Sequence, residues 1–322
     1  MSESPVVMDG IAKSFGDVVA LRDISFEVGQ GEVVGLLGPN GSGKTTIVDI
    51  LSTLTRPDRG SARVAGHDVV ADPTAVRRSI TVTGQQVAVD PMLTGHENLV
   101  LFGRLWGLAK STALVRSIEL VHQFNLVDAA HRRVDTYSGG MRRRIDIACG
   151  LIVRPEVVFL DEPTTGLDPR SRQSIWDLLA RFKSLGIATL LTTQYLEEAD
   201  ALSDRIVVID RGLVVAHGTP NDLKHRIGAS YCEVVPGDPA DLQAMAEALG
   251  VLLPNETRAA LTAESDRIAV PAPAGAKTLV QVLQKLDAAN IDVVEVALRR
   301  PSLQDAFFAL TRQSSAPTAA VI

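Results

Sequence analysis

Residues 38–45 read GPNGSGKT. The string fits G-x-x-x-x-G-K-[ST], and it stands between an apolar run at 33–37 and a helix-like stretch at 46–54. In that setting Gly38, Gly41 and Gly43 let consecutive backbone N–H groups turn inward on a polyphosphate. Lys44 reaches the outer phosphates, Thr45 offers a hydroxyl to Mg²⁺, and the following helix aims its positive N-terminus at the anion. Pro39, Asn40, Ser42 and Thr46 complete the loop. A glycine-rich turn would carry similar letters, but the flanking strand and helix favour a phosphate-binding loop. Nucleotide binding is therefore the first expectation.

The rest of the chain limits what that nucleotide serves. A length of 322 residues with 46% hydrophobic residues predicts one large domain and a smaller one. The formal charge of −6, and basic clusters without interleaved aromatics, argue against a nucleic-acid partner. Two distant cysteines, Cys149 and Cys232, fit a reduced cytosolic compartment, and the first residues show no signal-peptide pattern. No run of 18 apolar residues occurs, so no bilayer-spanning helix is expected.

Short β-branched runs alternate with helical patterns up to about residue 222, the rhythm of an α/β sheet. The segments at 6–11, 18–28 and 62–65 read as an antiparallel β subdomain. Core strands are expected at 33–37, 80–83, 157–160, 188–192 and 206–209. Between them a helical insertion at about 86–155 is predicted. It opens on the capping box Thr94–Glu97 and continues with Leu114, Ile118, Val121 and Phe124 as the apolar face of a second helix. The domain limits expected are 1–224 for the nucleotide-binding domain, 225–313 for a small, loosely ferredoxin-like α+β domain, and 314–322 for a flexible tail. In the small domain Leu279, Val282, Leu283 and Leu286 make one helix face, and Ser302 caps a last helix through Asp305.

At 157–160 a buried strand runs into Asp161 and Glu162, at the carboxyl edge where α/β sheets hold their ligands. Asp161 is placed to hold Mg²⁺ opposite Thr45, and Glu162 to polarise a water for attack on the γ-phosphate. Alone, such a pair is more often a solvated strand end; beside the phosphate loop it reads as catalytic.

Tyr137-Ser138-Gly139-Gly140-Met141, some twenty residues before Leu160, resembles the signature sequence of ATP-binding-cassette (ABC) ATPases, with Tyr for the usual Leu and Met for the usual Gln. The resemblance implies a P-loop NTPase core and further site residues. Phe15 matches the aromatic on which adenine stacks. Gln85 matches the glutamine whose carbonyl reaches Mg²⁺, with Gln86 as its neighbour. Asp168 matches the aspartate that touches the opposite subunit. Where the family usually has a switch histidine, this chain has Gln194, which can donate a hydrogen bond to the γ-phosphate but cannot take up a proton or a charge. The strings TGQQVAVD, YSGGMRRRIDIA, LLTTQYLEEAD and RRPSLQDAFFAL resemble the daunorubicin-resistance-type exporter ATPases in particular.

That likeness implies a head-to-tail dimer in which Tyr137–Met141 of one copy close on the other's MgATP. It also implies a separate integral membrane permease, a peripheral position on the cytoplasmic side of the membrane, and efflux of anthracycline-like drugs or cell-envelope lipids. The alternative is a soluble ABC ATPase of translation or DNA repair; those carry two cassettes or a long coiled coil, and neither is present.

Overall fold

Strand β3 (Val33–Leu37) is buried at every residue, which alternation would not give and a sheet covered on both faces does. The computed structural model describes residues 4–84, 87–226, 230–254, 266–300, 302–305 and 307. In it β3 sits inside a six-stranded sheet with β6 (Ile80–Thr83), β7 (Val157–Asp161), β8 (Ala188–Thr193), β9 (Arg205–Asp210) and β10 (Leu213–Gly218). The order is β10-β9-β3-β8-β7-β6, parallel except for β10. Strand β10 was not expected from the sequence; it returns antiparallel to β9 through a tight turn at Arg211 and Gly212, both at positive φ.

Strand β7 divides the interior into two cores. Its Val157 and Phe159 pack with Ile47, Ile50 and Leu51 of α1 (Lys44–Leu51) and with the antiparallel sheet β2-β1-β4-β5. That sheet is built from β1 (Val6–Phe15), β2 (Val18–Val28), β4 (Arg59–Val64) and the short β5 (His67–Asp68). On the other face Val158 and Leu160 pack with helices of the insertion. The helix expected at 46–54 starts earlier and stops at Leu51, because the phosphate-loop lysine is already its first residue.

The insertion supplies α3 (Gly95–Leu105), α4 (Lys110–Gln123) and α5 (Gly139–Gly150). Helix α3 opens on the full Thr94–Glu97 capping box. The face expected for α4 is corrected in part: Leu114 and Ile118 are exposed, whereas Val121 and Phe124 are buried as expected, together with Ala113, Ser117 and Leu120. The cause is close helix packing. A Cβ on Gly103 of α3 would stand 2.9 Å from the Ala113 methyl, so α4 presents its small residues to α3. Helix α6 (Pro169–Ser184) packs beside α5, and α7 (Leu196–Leu202) follows β8.

The chain divides into units 1–220 and 221–322, at the first residue of α8 (Pro220–Arg226); the break expected after residue 224 falls within that helix. The second unit has an antiparallel sheet β12-β11-β13 from β11 (Tyr231–Pro236), β12 (Ile268–Pro271) and β13 (Val293–Arg299). Helices α9 (Leu242–Leu249) and α10 (Ala276–Ala288) close its core with Met245, Leu249, Val282 and Leu286 against Cys232 and Val234. A fourth strand, which a ferredoxin-like pattern would add, does not occur among the described residues. Leu283, expected on the apolar face of α10, is exposed. Ser302 and Asp305 make the predicted reciprocal cap. The tail expected at 314–322, and Gln85 and Gln86, lie outside the described residues.

Candidate functional site

The loop between β3 and α1 is shaped by three glycines for different reasons. Gly41 and Gly43 hold φ of 78° and 110°, and a Cβ on Gly38 would lie 2.3 Å from the Ile209 carbonyl oxygen. Within this loop the Lys44 side chain is buried and its Nζ donates to the Gly38 and Pro39 carbonyls at 2.8 and 3.0 Å. Burial lowers the Lys44 pKa, and the Glu162 and Asp161 carboxylates oppose that fall. Ser42 Oγ is buried without a hydrogen-bond partner among the described residues, a donor left over inside a loop suited to an anion.

Strand β7 ends on Asp161 itself, which is buried. Its Oδ2 lies 3.4 Å from Thr45 Oγ1, and its Oδ1 accepts from Thr192 Oγ1 at 2.5 Å. Glu162 has a φ of 47°, unusual for a side chain of that size. Its N–H donates to the backbone and side-chain oxygens of Thr192 at 3.2 and 3.0 Å. The Glu162 carboxylate stands 4.0 Å from Lys44 Nζ and accepts from Thr165 Oγ1 at 3.1 Å. Gln194, one residue past β8, lines the same cleft of about 480 Å³ with Lys44, Thr45 and Glu162. Asn40 and Thr46 line it too, and Pro39 is exposed. Phe15 ends β1 with half its surface exposed and Lys13 Nζ 5.3 Å over its ring, and it pairs across the strand with Val18, which lines the cleft.

The Tyr137–Met141 segment borders a second hollow, where Gly139 and Arg142 meet Glu162, Thr165 and Gly166. Ser138 and Gly139 are exposed, and Ser138 Oγ accepts the Met141 N–H at 3.3 Å as the cap of α5. None of the described residues of this segment lines the phosphate-loop cleft. Tyr137 does not belong to a ligand surface: it is buried, and its hydroxyl donates to the Ala129 carbonyl at 2.6 Å. It supports the signature from within, as the apolar residue usual at this position would. Met141 packs on the helical core. Gly140 admits Ser171, since a Cβ there would come within 2.4 Å of its Oγ. Ser171 in turn donates from its N–H and Oγ to Asp168, the exposed cap of α6, and these bonds hold the Asp168 carboxyl below the usual range. The signature and the Asp168 loop are thus neighbours on one surface.

Sequence reasoning missed Thr192 and Thr165. The signal for Thr192 was present: a Thr-Thr pair closes strand β8 after Leu190 and Leu191, and the parallel register sets Thr192 beside Asp161.

The ABC transporter family matches residues 21–165. The chain is 66% identical to the doxorubicin resistance ATP-binding protein of Mycobacterium tuberculosis, over 95% of this chain and 93% of that protein. It is 46% identical to a daunorubicin resistance ATP-binding protein of Streptomyces coeruleorubidus, over 97% of each chain. Among solved structures it is similar to a dimeric ATP-binding cassette in a post-hydrolysis state with ADP and phosphate. That match has a TM-score of 0.60 and 25% identity, over 66% of this chain and 98% of the other. A likeness running almost from end to end, joined to a phosphate loop facing two carboxylates, leads to one conclusion: the chain is an ATP-binding transport ATPase and belongs to the ABC transporter family, among the daunorubicin and doxorubicin resistance ATP-binding proteins.

Proposed function

We propose that the chain is the energy-coupling subunit of an exporter that moves amphipathic, anthracycline-like drugs through a separate membrane permease. The observation that carries the reading is the separation of two half-sites. Lys44, Thr45, Glu162 and Gln194 line one cleft, with Asp161 3.4 Å from Thr45, whereas no residue of Tyr137–Met141 lines it and Gly139 borders a second hollow shared with Glu162 and Thr165. A second copy, placed head to tail, supplies the missing donors: the Ser138 hydroxyl and the N–H groups that open α5 meet the γ-phosphate held by Lys44.

The oxygen donors fit a magnesium ion. Thr45 and Asp161 face each other with hard ligands at a phosphate loop, and Gln85 would add its carbonyl. When bound, the ion neutralises charge on the outer phosphates. The residues of this chain do the rest. Glu162 orients the attacking water and takes its proton, Thr165 and Thr192 hold Glu162 in place, and Gln194 donates to the γ-phosphate. Phe15 stacks on the adenine.

Among the described residues no helix is long and apolar enough to cross a membrane. A permease on the cytoplasmic face has a docking surface available in an apolar groove of about 450 Å³, lined by Leu54, Val82, Phe102 and Trp106. The relatives' names support drug cargo, and none points to translation or DNA repair.

Glu162→Gln tests the core of the reading. ATP binding is expected to persist, turnover to fall by about 10²-fold or more, and an MgATP-dependent dimer to accumulate on a sizing column. Gln194→His is expected to keep at least moderate turnover. Full activity of the Glu162 variant would overturn the assignment. Co-expression with the permease, followed by ATPase assays with anthracyclines and with lipids, separates the two cargo classes.

A further inference from the structure

Arg143 lies on the second turn of α5 and exposes only 6% of its surface. An arginine so enclosed must give its donors to something. Its Nε donates to the Pro163 carbonyl at 2.9 Å, Nη2 to the Asp161 carbonyl at 3.3 Å, and Nη1 to the Gly84 carbonyl at 2.6 Å. Two of these acceptors flank Glu162 on either side. The residue they bracket is the one whose backbone is held at a φ of 47°. One turn of α5 further on, Asp146 lies 3.5 Å from Arg143 and accepts the Ala88 N–H at 2.8 Å, which fixes the pair on the sheet side of the helix.

A guanidinium is suited to this work because its planar fork reaches several acceptors at once; an ammonium does not. The carbonyls lie on the exit of β7 and of β6, so one side chain links the signature helix to two strand ends of its own chain. No other described side chain in this cluster bonds both sides of Glu162.

We propose that Arg143 is the positioning residue for Glu162, and that it makes the hydrolytic carboxylate of one protomer follow the helix whose N-terminus closes on the partner's nucleotide. The inference rests on the head-to-tail dimer proposed above. Closure at one nucleotide then bears, through α5 and Arg143, on the carboxylate at the other, and the two sites fire as a pair. Burial lowers the Arg143 pKa, and the Asp146, Asp161 and Glu198 carboxylates oppose that fall.

The test uses the full chain assembled with its permease. ATPase rate is measured against ATP concentration for the wild type, Arg143→Lys and Asp146→Asn, with equilibrium ATP binding measured on the same samples to confirm folded sites. The wild type is expected to show a Hill coefficient approaching 2, about the number of sites. Arg143→Lys is expected to bind ATP within about twofold of wild type, to lose about tenfold in kcat, and to bring the coefficient toward 1. Asp146→Asn keeps an acceptor for Ala88 and is expected to move the coefficient the same way by less. A lower kcat with an unchanged coefficient would make Arg143 merely structural and overturn the proposal. A wild-type coefficient of 1 would overturn the paired firing and the proposal with it, while the dimer itself is decided separately by the sizing column. Should Arg143→Lys fail to bind ATP, Asp146→Asn decides by the same criteria.

Discussion

Thr192→Val removes one oxygen from the floor of the site and leaves its shape. The Thr192 side chain is fully buried; its hydroxyl donates to Asp161 at 2.5 Å and accepts from the Glu162 N–H at 3.0 Å. Valine fills the same space, so no cavity opens. The lost bond to the carboxylate is charge-assisted and is worth about 1.5–3 kcal/mol. The second bond adds little, because the same N–H also donates to the Thr192 backbone oxygen at 3.2 Å. A net loss of about 2 kcal/mol follows, or a fall of about 4–8 °C in the midpoint of a unit this size. Both tryptophans, Trp106 and Trp176, lie within residues 1–220, so their fluorescence in urea follows that unit alone. Repeating the substitution on an Asp161→Asn background isolates the pair, where a coupling of at least about 1 kcal/mol is expected. A loss below about 0.5 kcal/mol, or none of it shared with Asp161, would refute the claim that Thr192 holds the carboxylate.

Gly43→Ala is expected to lower ATP affinity at least about tenfold, because a methyl group at a φ of 110° would meet Leu21 Cδ2 at 2.6 Å and the Ala20 carbonyl at 2.9 Å. Gly41→Ala, where a Cβ meets nothing, is expected to do less, and equilibrium dialysis ranks the two. Glu198→Gln probes a carboxyl that burial pushes above its usual range, against bonds from Thr193, Thr164 and Trp176. A folded pKa above the unfolded one gives stability present below about pH 4.3 and lost as pH rises through the folded value. Urea midpoints of the wild type should therefore fall relative to Glu198→Gln as pH climbs from 4 toward 8, and parallel curves would contradict this.

The parts of the fold that were legible carry their information in neighbouring residues. A glycine pattern between an apolar run and a helix gave β3, the loop and α1, and reciprocal caps gave Thr94 and Ser302. Strand β10 escaped because its signal is a turn, not a motif. Asp210-Arg211-Gly212 carries two successive positive-φ residues, which suits a two-residue hairpin, yet arginine is not a usual marker for it. The face of α4 escaped for another reason. Periodicity ranks residues by hydrophobicity, whereas the approach of α3 at Gly103 selects for small side chains.

The site divides in the same way, and Arg142-Arg143-Arg144 shows why. As a string, three arginines read as one solvated basic run. On a helix, successive side chains point about 100° apart, so three like residues meet three environments. Arg142 donates back to the Tyr137 carbonyl at 3.2 Å. Arg144 turns the other way, to the carbonyls of Phe124 and Asn125 at 3.0 and 3.2 Å, satisfying the end of α4. Only Arg143 points inward to the carbonyls around Glu162. Lys44 and Glu162 could be found from their neighbours in sequence, because a phosphate loop and a strand end are local. What holds Glu162 is not local: Thr192 is 30 residues away and Arg143 nearly 20, and each is placed by the packing of a different element on β7. Motifs therefore identify the groups suited to touch the nucleotide, and tertiary register decides which groups aim them.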